Sequence, residues 1–188
     1  MSRMLMPGQA RAAGFDEPFE MLRACHERVQ RMLALLGRLA DHLAARWPQL
    51  PDDQAAQAAH DVLRYFDLAA PAHHEDEERH VLPVLQASDH ADDRQLAQRL
   101  HADHQLMTTA WQQLRPGLQA ISAGQWPDGA WPQVRAQWQA FEALYGPHIE
   151  AEETQAYQKA VQVLNAAAQQ AMGTEMAARR GAAWRPLP

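Results

Sequence analysis

One cysteine, Cys25, in 188 residues excludes an internal disulfide and any zinc site built on paired thiolates. An excess of positive charge is also missing. The chain has 17 Lys and Arg against 23 Asp and Glu, a formal charge of -6. That argues against a nucleic-acid partner, which needs a basic face. Arg179, Arg180 and Arg185 are too sparse to mark a membrane or nucleic-acid tail. Residues Met1 to Gly14 hold no apolar stretch long enough for a signal peptide or membrane span, so a cytoplasmic location is expected. Val, Ile and Thr are scarce while Ala, Gln, Leu, Arg and Glu are plentiful, which favours helix over strand. Neither a Gly-x-Ser-x-Gly elbow nor a phosphate-cradling glycine loop is present, so nothing supports a nucleophilic hydrolase or a nucleotide site. What the chain does have is histidine, ten in all.

Pro, Gly and Asp punctuate four helix-length patterns. Asp16-Glu17-Pro18 reads as a helix start, and the first pattern runs to about Arg46 before Trp47-Pro48 breaks it. A second extends from Asp52 or Asp53 to about Gln86, a third from about Ala91 to Ser122, and a fourth from about Gln133 to Ala168. Short connections make antiparallel neighbours, so the expected fold is all-α, an up-down-up-down antiparallel four-helix bundle over residues 15–170. Residues 1–14 and 171–188 lack a sustained stripe and are expected to be loosely packed.

Each pattern carries an apolar seam in alternating steps of three and four, interrupted by histidine. The first runs from Phe19 and Leu22 through His26 to Leu43. The third runs from Ala97 and Leu100 through His104 to Ile121. The second places His73 and Glu77 between Phe66-Ala69 and Val81-Val84; the fourth places His148 and Glu152 between Tyr145 and Ala156-Val163. A single histidine in such a stripe is ordinarily a core residue satisfied by one hydrogen bond. A buried unpaired carboxylate is harder to explain, because its desolvation costs several kcal/mol. His73 with Glu77 and His148 with Glu152 each stand at i, i+4, on one face of a helix.

Registry points the same way. His26 and His73 are about equally far from the first connection, and at a rise of about 1.5 Å per residue they reach similar heights on antiparallel helices. The count also works for Glu77 with His104, and approximately for His104 with His148. The six therefore converge on one layer. His73-His74-Glu75-Asp76-Glu77-Glu78 resembles His148-Ile149-Glu150-Ala151-Glu152-Glu153, and Pro71 and Pro147 precede the two segments. Those prolines either free a backbone carbonyl beside the motif or only mark kinks. Imidazole with carboxylate suits iron, with zinc, manganese or copper compatible on ligand type. His42, His60, His80 and His90 fall off the seams and read as surface residues.

On these residues the chain resembles the hemerythrin-like HHE cation-binding family. The motifs are Cys25-His26-Glu27-Arg28-Val29, His73 to Glu78 ending in Leu82-Pro83, His104, and His148 to Glu153, over roughly Phe15 to Ala168. The resemblance implies a four-helix bundle with two iron ions bridged by two carboxylates, able to bind O2 or NO or to register iron or redox state. It makes His26, His73, His104 and His148 terminal ligands, and Glu77 and Glu152 bridges. The chain departs from oxygen-carrying hemerythrins on its third helix, where His101 and His104 stand three apart instead of four. A fifth histidine ligand is left open between His101 and His74. The fourth-helix acid is Glu152, four after the histidine, with Glu153 at five. The leading expectation is a binding protein for a small ligand. A di-iron redox enzyme and a metal-free helical interaction protein are the alternatives.

Overall fold

A computed structural model of the protein describes residues 14–182, and among these there are helices and connections but no strand. Helix α1 spans Pro18–Arg46, with Pro18 in its first turn, where a missing N–H costs nothing. Its whole seam from Phe19 to Leu43 is buried. Helix α2, Asp53–Arg64, is capped by Asp52, whose carboxylate accepts from the Ala55 amide at 2.9 Å. The same rod continues through a π-helical turn, Tyr65–Ala69, into α3, Ala70–His80, and α4, Leu82–Gln86. Pro71 lacks the N–H that would close an ordinary helical bond here, and the Ala70 amide reaches back five residues to the Tyr65 carbonyl. The extra residue turns the buried face by one position: Ala70, not the expected Ala69, enters the core.

Helix α5, Ala91–Ser122, buries every expected seam residue from Ala97 to Ile121. It is tied to the π turn by Asp67, which accepts from Trp111 Nε1 at 2.9 Å and from Arg115 Nε at 2.9 Å. The fourth rod comprises α6, Trp131–Ala143, and α7, Tyr145–Ala151, then a second π turn, Glu152–Ala156, and α8, Tyr157–Val163. Cross-contacts pair rising with falling residue numbers, as antiparallel neighbours do. Tyr65 meets Cys25 while His42 meets Asp52, and Asp67 meets Arg115 while Glu78 meets His104. Two apolar clusters sandwich the histidine layer: Phe66, Trp111 and Phe141 lie on one side, and Leu82, Leu100 and Tyr157 on the other.

Two further expectations change. The fourth rod stops at Val163, because Leu164 is extended and Asn165 caps a new helix by accepting from the Ala168 amide at 2.9 Å. That helix, α9, Ala166–Arg179, occupies much of what was read as a loose C-terminal segment, and it buries Met172 and Met176 completely. Gly173 permits its close approach: a Cβ there would lie 1.8 Å from the Phe15 carbonyl oxygen. The arginines at its end hold Asp76 of α3, with Arg180 Nη2 at 2.6 Å and Arg179 Nε at 3.3 Å. Residues 1–13 and 183–188, also expected to be loose, lie outside the described residues. The second change is Val163, expected in the core but 58% exposed, whereas Tyr157 and Ala160 are wholly buried. The π turn at Glu152–Ala156 again adds a residue and advances the face.

Candidate metal centre

The six seam residues meet. His26 comes from α1, His73 and Glu77 from α3, His104 from α5, His148 from α7, and Glu152 opens the second π turn; all are 3% exposed or less. Donor atoms of His26, His73, Glu77 and Glu152 lie within 4.8 Å of one another, as do those of His104, His148 and Glu152. Glu152 belongs to both groups: its Oε2 is 3.1 Å from His26 Nε2, and its Oε1 is 3.1 Å from His148 Nε2 and 3.6 Å from His104 Nε2. Glu77 also faces both ways, with Oε1 3.3 Å from His73 Nε2 and Oε2 3.5 Å from His104 Nε2. Glu152 is thus common to both groups, and Glu77 of the first also reaches toward His104 of the second.

Of the two further histidines, neither enters these groups. His101 is exposed; its Nδ1 is 3.6 Å from Glu78 Oε1 and its other nitrogen contacts Gln105. His74 stacks on His104, with ring centroids 4.1 Å apart and planes 6° from parallel. Its ring borders both a solvent-facing cavity of about 430 Å³, lined also by Glu78, His101 and His104, and an apolar one of about 60 Å³ beside Phe66, Met107, Trp111 and Tyr145.

Sequence reasoning missed an outer ring of acids. The Nδ1–H of His26 donates to Glu153 at 2.8 Å, that of His104 to Glu78 at 2.9 Å, and that of His148 to Asp103 at 3.3 Å. A carboxylate on Nδ1 fixes the tautomer and ring angle and presents the Nε2 lone pair inward, the arrangement that supports metal-ligating histidines. The available signal was the doubled acid at Glu77-Glu78 and Glu152-Glu153: the first points inward and the second flanks it toward the next helix. Tyr157 was missed as well, and its fully buried hydroxyl donates to Glu77 Oε1 and lies 3.1 Å from His26 Nε2.

Electrostatically the layer is short of positive charge. Glu77, Glu152, Glu78, Glu153 and Asp103 surround four imidazoles. Burial opposes charge on His26, but Glu152 and Glu77 outweigh it and push the imidazole up to about 10. Burial likewise opposes charge on His104, and Glu152, Glu77 and Glu78 push it up to about 11. His73 is pressed down to about 4 by burial and by neighbouring His26 and His104, despite Glu77. Burial and Glu77 work against ionisation of Glu152, yet His104, His148 and His26 bring it down to about 2. Protons on two imidazoles meet only part of the demand. His104 Nε2, His148 Nε2, Glu77 Oε2 and both Glu152 oxygens are buried without a hydrogen-bond partner. Such orphaned atoms cost about 1–3 kcal/mol each, more when charged. Cations within the layer would satisfy these atoms, so the residues fit bound metal.

Residues 17–160 match the family model described as Hemerythrin HHE cation binding domain. A protein of Haemophilus influenzae carrying the description "Uncharacterized protein" is 40% identical over 74 residues, 39% of this chain and 41% of that protein. The chain thus spans about two fifths of that relative's length. Among the described residues no helix is long and apolar enough to cross a membrane.

Proposed function

The chain belongs to the hemerythrin HHE cation-binding domain family, and on that premise we propose that it is a non-haem di-iron protein that binds a small molecule such as O2 or NO, or registers iron or redox state. In this reading the four long rods form an up-down-up-down bundle and α9 closes one side of it. His26 and His73 would hold one iron and His104 and His148 the other, with Glu77 and Glu152 between them as shared ligands. The supporting observation is the set of orphaned imidazole and carboxylate atoms converging from four rods on one buried layer. Imidazole and carboxylate together suit iron.

When bound, iron supplies an open position for a small ligand and a change of oxidation state. The residues of the chain supply everything else. Glu153, Glu78 and Asp103 hold three imidazoles in the ligating tautomer. Phe66, Met107, Trp111 and Tyr145 keep one side of the layer apolar, and the cavity they border, about 60 Å³, has room for a molecule of a few atoms, one water needing about 10–15 Å³ of such space. His74 lines both that cavity and the larger one beside it.

The test is to load the protein with ferrous iron under anaerobic conditions and then admit NO or air. A changed visible spectrum is expected; an unchanged spectrum in a sample that retains iron removes the small-molecule part of the reading. Turnover of oxidant above the rate of free iron would instead mark a redox enzyme.

A further inference from the structure

A buried tyrosine hydroxyl needs a polar partner, and the usual solution is a nearby backbone group. Tyr65 does this by donating to the Cys25 carbonyl at 3.2 Å. Tyr157 does not. Its hydroxyl reaches past the backbone into the donor set itself, 3.1 Å from His26 Nε2 and hydrogen-bonded to Glu77 Oε1. It gets there through the second π turn. Glu152–Ala156 winds one residue wider than an α-helical turn, so that Tyr157, five residues after Glu152, shares its buried face.

Three of the spacings among these atoms are those of ligands around one ion. A cation held at about 2.0–2.2 Å by nitrogen and oxygen donors has neighbouring donors roughly 3.0–3.6 Å apart, from octahedral to tetrahedral arrangement. His26 Nε2 to Glu152 Oε2 is 3.1 Å and His73 Nε2 to Glu77 Oε1 is 3.3 Å, both within that range, while His26 Nε2 to Glu77 Oε1, at 3.7 Å, lies just beyond it. The phenol oxygen lies 3.1 Å from His26 Nε2, within that range, but it is hydrogen-bonded to Glu77 Oε1 more closely than two ligands of one ion would stand, so it must draw back from Glu77 as its proton is lost. Among the described residues no phenol hydrogen-bonds to His104 or His148 of the other half-site, where His104 faces the solvent-side cavity and the ring of His74.

We infer that Tyr157 is a ligand of the His26–His73 cation, a phenolate oxygen that makes the two halves of the centre unequal. The inference rests on the di-iron reading above. As the metal–oxygen bond forms, the phenol O–H bond breaks and its proton leaves to solvent; the oxygen keeps the electron pair that it donates to the metal. No oxidant or reductant takes part. With Tyr157 closing the inner half, the open position falls to the half that faces the cavity.

Ferric phenolates have an intense visible charge-transfer band, and excitation into it enhances phenolate ring vibrations in the Raman spectrum; imidazole and carboxylate give no such vibrations. The full chain is loaded with ferrous iron, oxidised with ferricyanide, and its iron counted. In the wild type, phenolate modes are expected with about two irons per chain. Tyr157→Phe should lose band and modes entirely, while Tyr65→Phe keeps them. A wild-type protein with two irons and no phenolate modes overturns the inference and leaves the di-iron reading standing. Iron well below one per chain overturns both. Because the decisive spectrum is that of the wild type, a Tyr157→Phe protein that fails to fold changes nothing, and phenolate modes that persist in a folded Tyr157→Phe protein refute the assignment.

Discussion

Glu153 never touches the proposed irons, yet its loss should weaken their binding. Its Oε1 accepts from His26 Nδ1 at 2.8 Å, and its side chain is 38% exposed. Through the imidazole ring that oxygen lies about 7 Å from a cation on Nε2. One negative charge and a doubly charged cation at that distance attract by about 1 kcal/mol with full water screening and about 2 kcal/mol at half that dielectric constant. Outer partners of ligating histidines are worth about 10–100-fold in metal affinity, or about 1.4–2.7 kcal/mol, in the same range. Glu153→Gln keeps an acceptor but removes the charge, so a loss of about tenfold is expected; Glu153→Ala removes both and should approach 100-fold. Glu78, at 2.9 Å from His104 Nδ1 and 37% exposed, should behave alike. Asp103, at 3.3 Å from His148, should matter less. The assay is competition of the apoprotein with a chelating dye for ferrous iron, with circular dichroism to check the fold. Unchanged affinity in folded Glu153→Ala and Glu78→Ala proteins would refute the reasoning, because the imidazoles would then not depend on the outer acids.

Two further outcomes follow from charge burial. Asp76 is wholly buried, and burial raises its carboxyl even though Arg180 and Arg179 pull the other way. Replacing both arginines by Ala strands that charge and should cost about 3–5 kcal/mol in urea unfolding, less at acidic pH where Asp76 protonates; an unchanged midpoint would mean α9 is not held by this contact. The metal-free protein should depend on pH through its raised imidazoles. The contributions of His26 and His104 are full below the unfolded value of 6.5 and are lost as pH rises through about 10 and about 11. That of Glu152 is present above the unfolded 4.5 and is lost as pH falls through about 2. Melting temperature should therefore fall on the alkaline side without metal. Metal affinity should instead strengthen as pH rises from acid toward neutral, since cations displace those protons.

Regular helix made α1 and α5 legible. Over 29 and 32 residues their period holds, and every seam residue from Phe19 to Leu43 and from Ala97 to Ile121 is buried as expected. The other two rods contain π turns, and a fixed period drifts by one residue across each. Ala70 replaced Ala69 in the core, and Tyr157 and Ala160 were buried where Val163 had been expected. Pro71 was a visible cause of the first turn, but no residue type announced the second. The six central residues were legible because a buried carboxylate paired with histidine is costly without a partner, whichever way the helix winds. The outer acids were hidden because Glu78, Glu153 and Asp103 are partly exposed and look like ordinary charged surface. Helix α9 was hidden because two methionines and a glycine bury too little to make a stripe.

Counting metal in the protein decides the central claim. Wild type reconstituted with ferrous iron and freed of excess should hold about two irons per chain, and Glu152→Ala, lacking the carboxylate that serves both halves, should hold little. A wild type that retains well under one iron, or a folded Glu152→Ala protein that keeps both, would contradict the account.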